Sequence, residues 1–321
     1  MQSTKGVKIT VGCDPEFFLW DTKDKAYVSA HTMVPGDKKK PFKVPNGAIQ
    51  VDGTAVEFNI DPASSPKKFA DSTQSVLNYL RKTIDPRYEF RFVPAIHYDK
   101  DYFKSLPEHT KELGCDPDFN AYTSKTNPKP PADKVGTMRT GSGHIHIGWT
   151  KNADITDPNH VWDCELFTKA MDAVFKTHSI FWDNDTQRQK LYGNYGAYRP
   201  KPYGVEYRVP SNAWLAKPIL YPWLAKICLA VFNSLETAAD TFARNFRYVN
   251  TPNFYNIKSH YNDFNYYHAK DKNKYPSFFS YYNPARNAYM NTAPFFDDAR
   301  MPEIEEWTPE FSKPVCKTEI W

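Results

Sequence analysis

The sequence predicts an α+β fold with a mostly antiparallel sheet and flanking helices. Three observations support this: short apolar/polar alternations bounded by turn residues, three long stretches with apolar residues at helical spacing, and an order of these segments too irregular for a βαβ repeat.

Residues 7–20, VKITVGCDPEFFLW, read as strand, turn, strand, with Gly-Cys-Asp-Pro as the break. Pro15 lacks an amide hydrogen, which predicts an edge or bulge at that point. Residues 45–60, PNGAIQVDGTAVEFNI, read as two strands opened by Asn46-Gly47 and joined at Asp52-Gly53. A helix is expected from Pro66, capped by Ser65, with Phe69, Val76, Leu77, Leu80 and Ile84 as one apolar stripe. A strand follows near 88–93, then a proline- and lysine-rich loop over 123–134. HIHIGW at 144–149 and GVEYRVP at 204–210 alternate as strands, and helices are expected at 161–182 and 217–243. From about Tyr248 the composition turns to Tyr, Phe and Asn. The expected organisation is a domain over 1–245 with an aromatic-rich extension, 246–321, packed on it or on a partner subunit; a stacking surface for bases or aromatic groups is the alternative.

Hydrophobic residues at 40% and charged residues at 24% suit a globular protein. A net charge of +4 is weak, and the runs Lys38-Lys39-Lys40 and Lys67-Lys68 read as solvated surface, which argues against a nucleic-acid footprint. No apolar stretch approaches the roughly 20 residues of a membrane span, and MQSTKGVKIT lacks a signal-peptide core. The five cysteines are scattered without a C-x-x-C, so neither a zinc ribbon nor a disulfide framework is expected, and a reducing cytoplasm fits.

Four stretches carry candidate chemistry. Side chains two apart on a strand share a face, so each pair can enter one cavity. Asp14 and Glu16 flank Pro15; two carboxylates on one face repel unless a cation lies between them, and Mg²⁺ prefers oxygen ligands. Asp52 and Glu57 form a second acidic pair, with Glu57 between Val56 and Phe58. His144 and His146 follow Gly141-Ser142-Gly143; this is no P-loop, since no Gly-Lys-Ser/Thr follows. Arg188 and Arg199 precede Glu206 and Arg208, and guanidinium groups grip phosphate or carboxylate in a bidentate way. A surface turn, a half-exposed strand or a cross-strand ion pair explains any one of these stretches alone.

In chain order, DPE (14–16), Asp52 with Glu57, GSGHIH (141–146) and YGAYRPKPYGVEYR (195–208) resemble the glutamine-synthetase and glutamate–cysteine-ligase superfamily. The likeness is greatest to the carboxylate–amine ligase type 2 proteins of tailed phages, over roughly residues 8–235. The resemblance implies a curved catalytic sheet and an ADP-forming, ATP-dependent ligase with two or more Mg²⁺ ions, Mn²⁺ being a substitute. It implies one ion on Glu16, Asp52 and Glu57, and another on Asp14, His144 and Glu206. His146 would contact the nucleotide, Arg188 and Arg199 the phosphates, and Arg208 the transferred phosphate or the substrate carboxylate. Glu57, Arg199 and Arg208 would carry catalysis. Asp14 departs from the family, which often has Glu there.

The expected reaction activates a carboxylate as an acyl phosphate and joins it to an amine, on small-molecule or peptide substrates, in a cytoplasmic monomer or homo-oligomer (host cytoplasm if phage-encoded). Asn120 and Tyr122, in the second block GCDPDFNAY (114–122), are candidate substrate-side residues. The alternatives are a metal-dependent hydrolase using the H-x-H pair and a non-catalytic nucleotide-binding phage module.

Overall fold

A computed structural model of the protein describes residues 5–111, 118–128, 135–179, 182–183 and 187–246. The aromatic-rich extension beyond 246, residues 114–117 of the second GCDP block and residues 129–134 of the lysine-rich loop lie outside them.

The architecture is α+β, with a large, mostly antiparallel sheet and several helices. The strands in chain order are β1 (Thr10–Asp21), β2 (Ala26–Val28), β3 (Phe42–Val44), β4 (Gly47–Asp52), β5 (Ala55–Ile60), β6 (Tyr88–Arg91), β7 (Ala95–His97), β8 (Phe119–Asn120), β9 (Lys125–Thr126), β10 (Met138–Thr140), β11 (Gly143–Gly148), β12 (Ala197–Lys201) and β13 (Gly204–Tyr207). Among the described residues eleven of these form one sheet, ordered β3-β4-β5-β1-β11-β13-β12-β8-β9, with β2 and β6 both paired to β1. β7 and β10 form a separate two-stranded sheet, with Arg139 opposite Ile96.

β1 differs from the strand–turn–strand expectation. It runs unbroken through Pro15 in the middle of the sheet. The reason is the side of the strand that the proline nitrogen faces. Thr10 to Pro15 pair with β11, whereas Glu16 and Phe17 pair with β5. On the β11 side the bonds fall on even-numbered residues, as from Glu16 N to Ser142 O at 2.8 Å, so the ladder there does not need the Pro15 amide. The Pro15 nitrogen therefore faces the β5 side, as Val11 N does towards Ala63 O, just before the β1–β5 pairing begins at Glu16, and no edge position is needed.

The helix α1 (Pro66–Thr83) begins as its cap predicts. Ser65 Oγ accepts the Lys68 amide, Pro66 opens the first turn, and Phe69, Val76, Leu77, Leu80 and Ile84 are all buried. The helix α2 (Pro158–Met171) starts earlier than 161 because Asp157 caps it, and it passes into a π-helical turn at Asp172–Lys176. The helix α3 (Leu220–Phe246) begins three residues later than expected, after the 3₁₀ turn Asn212–Ala216.

Strand alternation separates two environments. Val11, Cys13, Phe17 and Leu19 of β1 join the apolar core with Phe69 and Leu77 of α1, Phe167 of α2 and Leu224 of α3. Asp14 and Glu16 point to the other face, where a cavity opens. Gly143 lets β11 approach the segment after β13: a Cβ there would sit 2.3 Å from Ser211 O and 2.4 Å from Trp214 Nε1.

Candidate functional site

The register of the sheet decides which side chains meet. Asp14 lies opposite His144, Glu16 opposite Glu57, and Glu57 opposite Gln50. One row along, Gly12, His146, Glu206 and Arg199 follow each other across β1, β11, β13 and β12. The result is one cavity of about 320 Å³ whose lining includes Asp14, Glu16, Asp52, Glu57, His144, Arg199, Glu206 and Arg208. Four stretches spread over nearly two hundred residues thus converge.

The charges are segregated. Glu16, Asp52 and Glu57 stand on β1, β4 and β5; Arg199 and Arg208 stand on and just after β12 and β13; Asp14 and His144 lie between. At the acidic side, desolvation and the Asp52 charge raise the Glu16 pKa to about 7, against an accepted bond from the Ser142 amide at 3.0 Å. Desolvation and the charges of Asp14, Asp52 and Glu16 push Glu57 well above the ordinary carboxylate range, although Gln50 donates to it at 2.8 Å. Desolvation raises Asp52 too, despite the Lys38 ammonium 3.0 Å away. These carboxyls crowd together with too little positive charge, so they hold protons or a cation.

At the basic side, Glu206 is enclosed by Arg208, Arg199 at 3.3 Å and Lys201 at 2.8 Å. One carboxylate cannot neutralise three cations. Asp118 takes a share of Arg208 at 3.3 Å, and the remainder suits a polyanion.

Between the two sides, His144 Nδ1 is 3.5 Å from Asp14 and 3.3 Å from Glu206. Burial and the Arg208 charge lower its pKa to about 4, which keeps the imidazole neutral and able to ligate. His146 Nε2 is 2.9 Å from Asp14 Oδ1 and its Nδ1 is 2.6 Å from the Tyr203 hydroxyl. Burial alone would raise Asp14 and lower His146, yet the pair reverses both: the imidazoles hold Asp14 well below its ordinary value, and Asp14 raises His146. Despite that approach, neither Asp14 Oδ1 nor His146 Nε2 has a hydrogen-bond partner of good geometry.

Asp14, His146 and Glu206 each offer a ligand atom, all within 4.8 Å of one another. This group differs from the expected Asp14–His144–Glu206 set by one histidine, because His146 and Glu206 are cross-strand partners; His144 stands beside it. Two carboxylates and an imidazole suit Mn²⁺ as readily as Mg²⁺, whereas the all-oxygen set Glu16, Asp52 and Glu57 suits Mg²⁺.

Arg188 is placed elsewhere. It is fully buried and does not line the cavity; it donates to Val209 O at 3.0 Å and Arg208 O at 3.3 Å, and to Ser142 Oγ at 3.4 Å. It supports the backbone that carries Arg208. Asn120 and Tyr122 do not line the cavity either. Asn120 donates to Tyr195 O and accepts the Tyr122 amide.

Sequence reasoning passed over Lys38, Gln50, Arg139 and Tyr192, all of which line the cavity. Lys38 departs from the solvated-run expectation by pairing with Asp52. Tyr192 holds its hydroxyl 3.4 Å from His144 Nε2, and the Arg208 guanidinium lies over its ring at 5.1 Å. Gln50 alone left a signal: it stands two residues before Asp52 on the same strand face. Among the described residues, no helix is long and apolar enough to cross a membrane. Compared with known proteins, the chain matches no family model and no curated sequence.

Proposed function

We propose that the protein is an ATP- and Mg²⁺-dependent carboxylate–amine ligase with a catalytic sheet of the glutamine-synthetase type. The observation that carries this is the segregated cavity, with carboxyls on β1, β4 and β5 facing guanidiniums on and after β12 and β13. A magnesium–triphosphate needs both sets of partners at once.

In the proposed reaction a carboxylate oxygen attacks the γ-phosphorus and ADP leaves, giving an acyl phosphate. The amine nitrogen then attacks the acyl carbon, phosphate departs, the amide forms and the amine loses one proton. Arg199 and Arg208 hold the charge that accumulates on the phosphoryl oxygens. Glu16, Asp52 and Glu57 would bind one divalent ion, and Asp14 and Glu206 with His146 or His144 a second. When bound, these ions neutralise phosphate charge during transfer. The Lys38 ammonium supplies positive charge at the acidic side. Arg188 keeps the Arg208 segment in place through its bonds to Val209 O and Arg208 O.

The test is ADP release by purified protein over a matrix of acids and amines, with mass spectrometry of the products. ADP that forms only with Mg²⁺, an acid and an amine together supports the proposal. No binding of ATP with Mg²⁺ in calorimetry rejects it. The Asp14–His146–Glu206 group favours one second reading, hydrolysis by a metal-bound water, which nucleotide-independent turnover would establish.

A further inference from the structure

Lys38 enters the cavity, whereas its neighbours Lys39 and Lys40 stay exposed, as a charge run ordinarily does. The turn that delivers it is closely tied. Asp37 and Lys40 exchange backbone bonds at 3.3 Å and 3.1 Å, so Lys38 and Lys39 form the tip of a two-residue turn. The Asp37 carboxylate accepts the Lys39 and Lys40 amides at 2.8 Å and 2.9 Å. Gly36 joins this turn to the sheet, its carbonyl accepting the Val51 amide at 3.2 Å. Its φ of +87° lies in the left-handed region, and a Cβ there would stand 2.6 Å from Phe42 N and 2.7 Å from Ile49 O. The chain therefore lies close against β3 and β4 and carries the Lys38 stem to the acidic end of the cavity.

The Lys38 ammonium is 3.0 Å from Asp52 Oδ2 and is also within reach of the Glu57 and Glu16 charges. One ammonium thus faces three carboxyls. The Arg188 and Arg208 charges act on Glu16 and Asp52 too, but both guanidiniums are held elsewhere. Arg188 is fixed on the Val209 and Arg208 carbonyls, and Arg208 on Glu206 and Asp118. Lys38 differs. Its side chain is 48% exposed, so the head can leave for water by turning its flexible stem while the turn stays in place. A Mg²⁺ ion sits about 2.0–2.1 Å from a carboxylate oxygen, so an ion on Asp52 would repel an ammonium on the same carboxylate. A monovalent ion carries no more charge than the ammonium and gains nothing by replacing it. A divalent ion has twice the attraction to the same three acids.

We infer that Lys38 is the resident counter-ion of the acidic end: it shuts out monovalent cations and swings into solvent when a divalent ion takes Glu16, Asp52 and Glu57. This rests on the metal-binding half of the ligase proposal and needs no nucleotide. Without the ion, the ammonium limits repulsion among the acids; with it, the ion does. Competition makes the site weaker for a divalent ion than three carboxylates alone would be. In return, the site selects by charge and not by size alone.

The experiment compares wild type, Lys38→Met, which keeps the stem without the ammonium, and Glu57→Gln, all without nucleotide. Calorimetry reads Mg²⁺ affinity. Thermal unfolding is followed in choline chloride, in KCl at the same ionic strength, and in saturating MgCl₂. Amine acylation with mass spectrometry reads the exposure of Lys38, with Lys39 and Lys40 as internal standards. Lys38→Met should bind Mg²⁺ about twofold to tenfold more tightly than wild type. It should melt below wild type in choline chloride and recover in KCl, because potassium can enter the vacated place and choline cannot. In saturating Mg²⁺ the two should melt together, since the wild-type ammonium is then in water. Mg²⁺ should raise Lys38 acylation in wild type but not in Glu57→Gln, which keeps Asp14, His146 and Glu206. Bound Mg²⁺ that leaves Lys38 acylation unchanged overturns the inference. So does a Lys38→Met protein that still melts below wild type in saturating Mg²⁺, or one that KCl helps no more than choline chloride. A rise in acylation that persists in Glu57→Gln places the ion elsewhere and overturns it as well. If wild type and Lys38→Met both fail to bind Mg²⁺, the metal-binding half of the ligase proposal falls too; Mg²⁺ binding with Lys38 unmoved removes only the counter-ion.

Discussion

Glu16 and Glu57 are cross-strand partners on β1 and β5, two carboxyls side by side on the face that lines the cavity. Like charges opposed in a sheet are destabilising, and here Asp52 adds a third acid, while Lys38 pairs with Asp52 and the Arg188 charge acts on Glu16. The sheet tolerates this arrangement because the carboxyls hold protons more tightly than usual. Under the proposed function, a divalent cation bound between these carboxyls would offset that cost.

Stability in metal-free solution should therefore fall as pH rises from about 4.5 to about 7. Glu16 has its folded-state pKa raised across that window, so the folded chain carries a proton that the unfolded chain releases. The contribution is complete below the lower value and gone above the upper one. Mg²⁺ must displace protons to bind, so its stabilising effect should grow over the same window. Thermal unfolding with and without Mg²⁺ across that range measures both, and a metal effect independent of pH would sink the idea.

Two carboxylate-to-amide changes should have opposite effects on folding. Glu57→Gln removes one of the crowded acids and should leave the metal-free melting temperature level or higher. Glu206 is 1% exposed and ion-paired with Arg199, Lys201 and Arg208. Neutralising it strands those cations, with a cost of up to about 3–5 kcal/mol. Both variants should lose ADP release. Denaturant titration alongside the turnover assay separates the two; wild-type turnover in Glu57→Gln would remove it from the metal set.

Much of this was legible in the sequence, and the parts that were not have identifiable causes. Residues two apart on a strand share a face, so Asp14 with Glu16 and His144 with His146 announced a common face once their strands became neighbours, and Asp14, Glu16 and His144 line the cavity. Ser65-Pro66 fixed the start of α1 by local chemistry alone. Pro15 misled because a proline is excluded from a ladder only where its amide is needed, and strand partners are not written locally. Lys38 looked like any lysine in a charged run; the folded loop brings it to Asp52. Arg139 and Tyr192 stand outside every motif, and each reaches the cavity through tertiary packing.

Arg199 and Arg188 should separate in a way that residue type does not foretell. Arg199 lines the cavity, so Arg199→Lys keeps a charge but loses the fork, and should depress turnover with little change in stability. Arg188 is wholly buried on backbone carbonyls, so Arg188→Met should lower stability by about 3 kcal/mol or more. Guanidine unfolding and ATP-dependent kinetics on both variants measure the split. Unchanged stability in Arg188→Met would return that side chain to the candidates for phosphate binding.

Gly193 offers the sharpest check on how the Arg208 segment is held. Its φ of +69° lies in the left-handed region, where a Cβ costs about 1–2 kcal/mol. A Cβ there would also meet the Arg188 guanidinium at 2.2 Å. That group cannot simply swing away, because its hydrogen bonds to Val209 O and Arg208 O tie it to the end of β13. Gly193→Ala should thus destabilise by more than the backbone term alone. It should also disturb Tyr192, the neighbour that faces His144. In an Arg188→Met background the obstacle is smaller, so the two substitutions should be less damaging together than their sum. A double-mutant cycle by denaturant unfolding reads the coupling directly. Additivity within about 0.5 kcal/mol would mean that Arg188 yields freely and is not the support assigned to it.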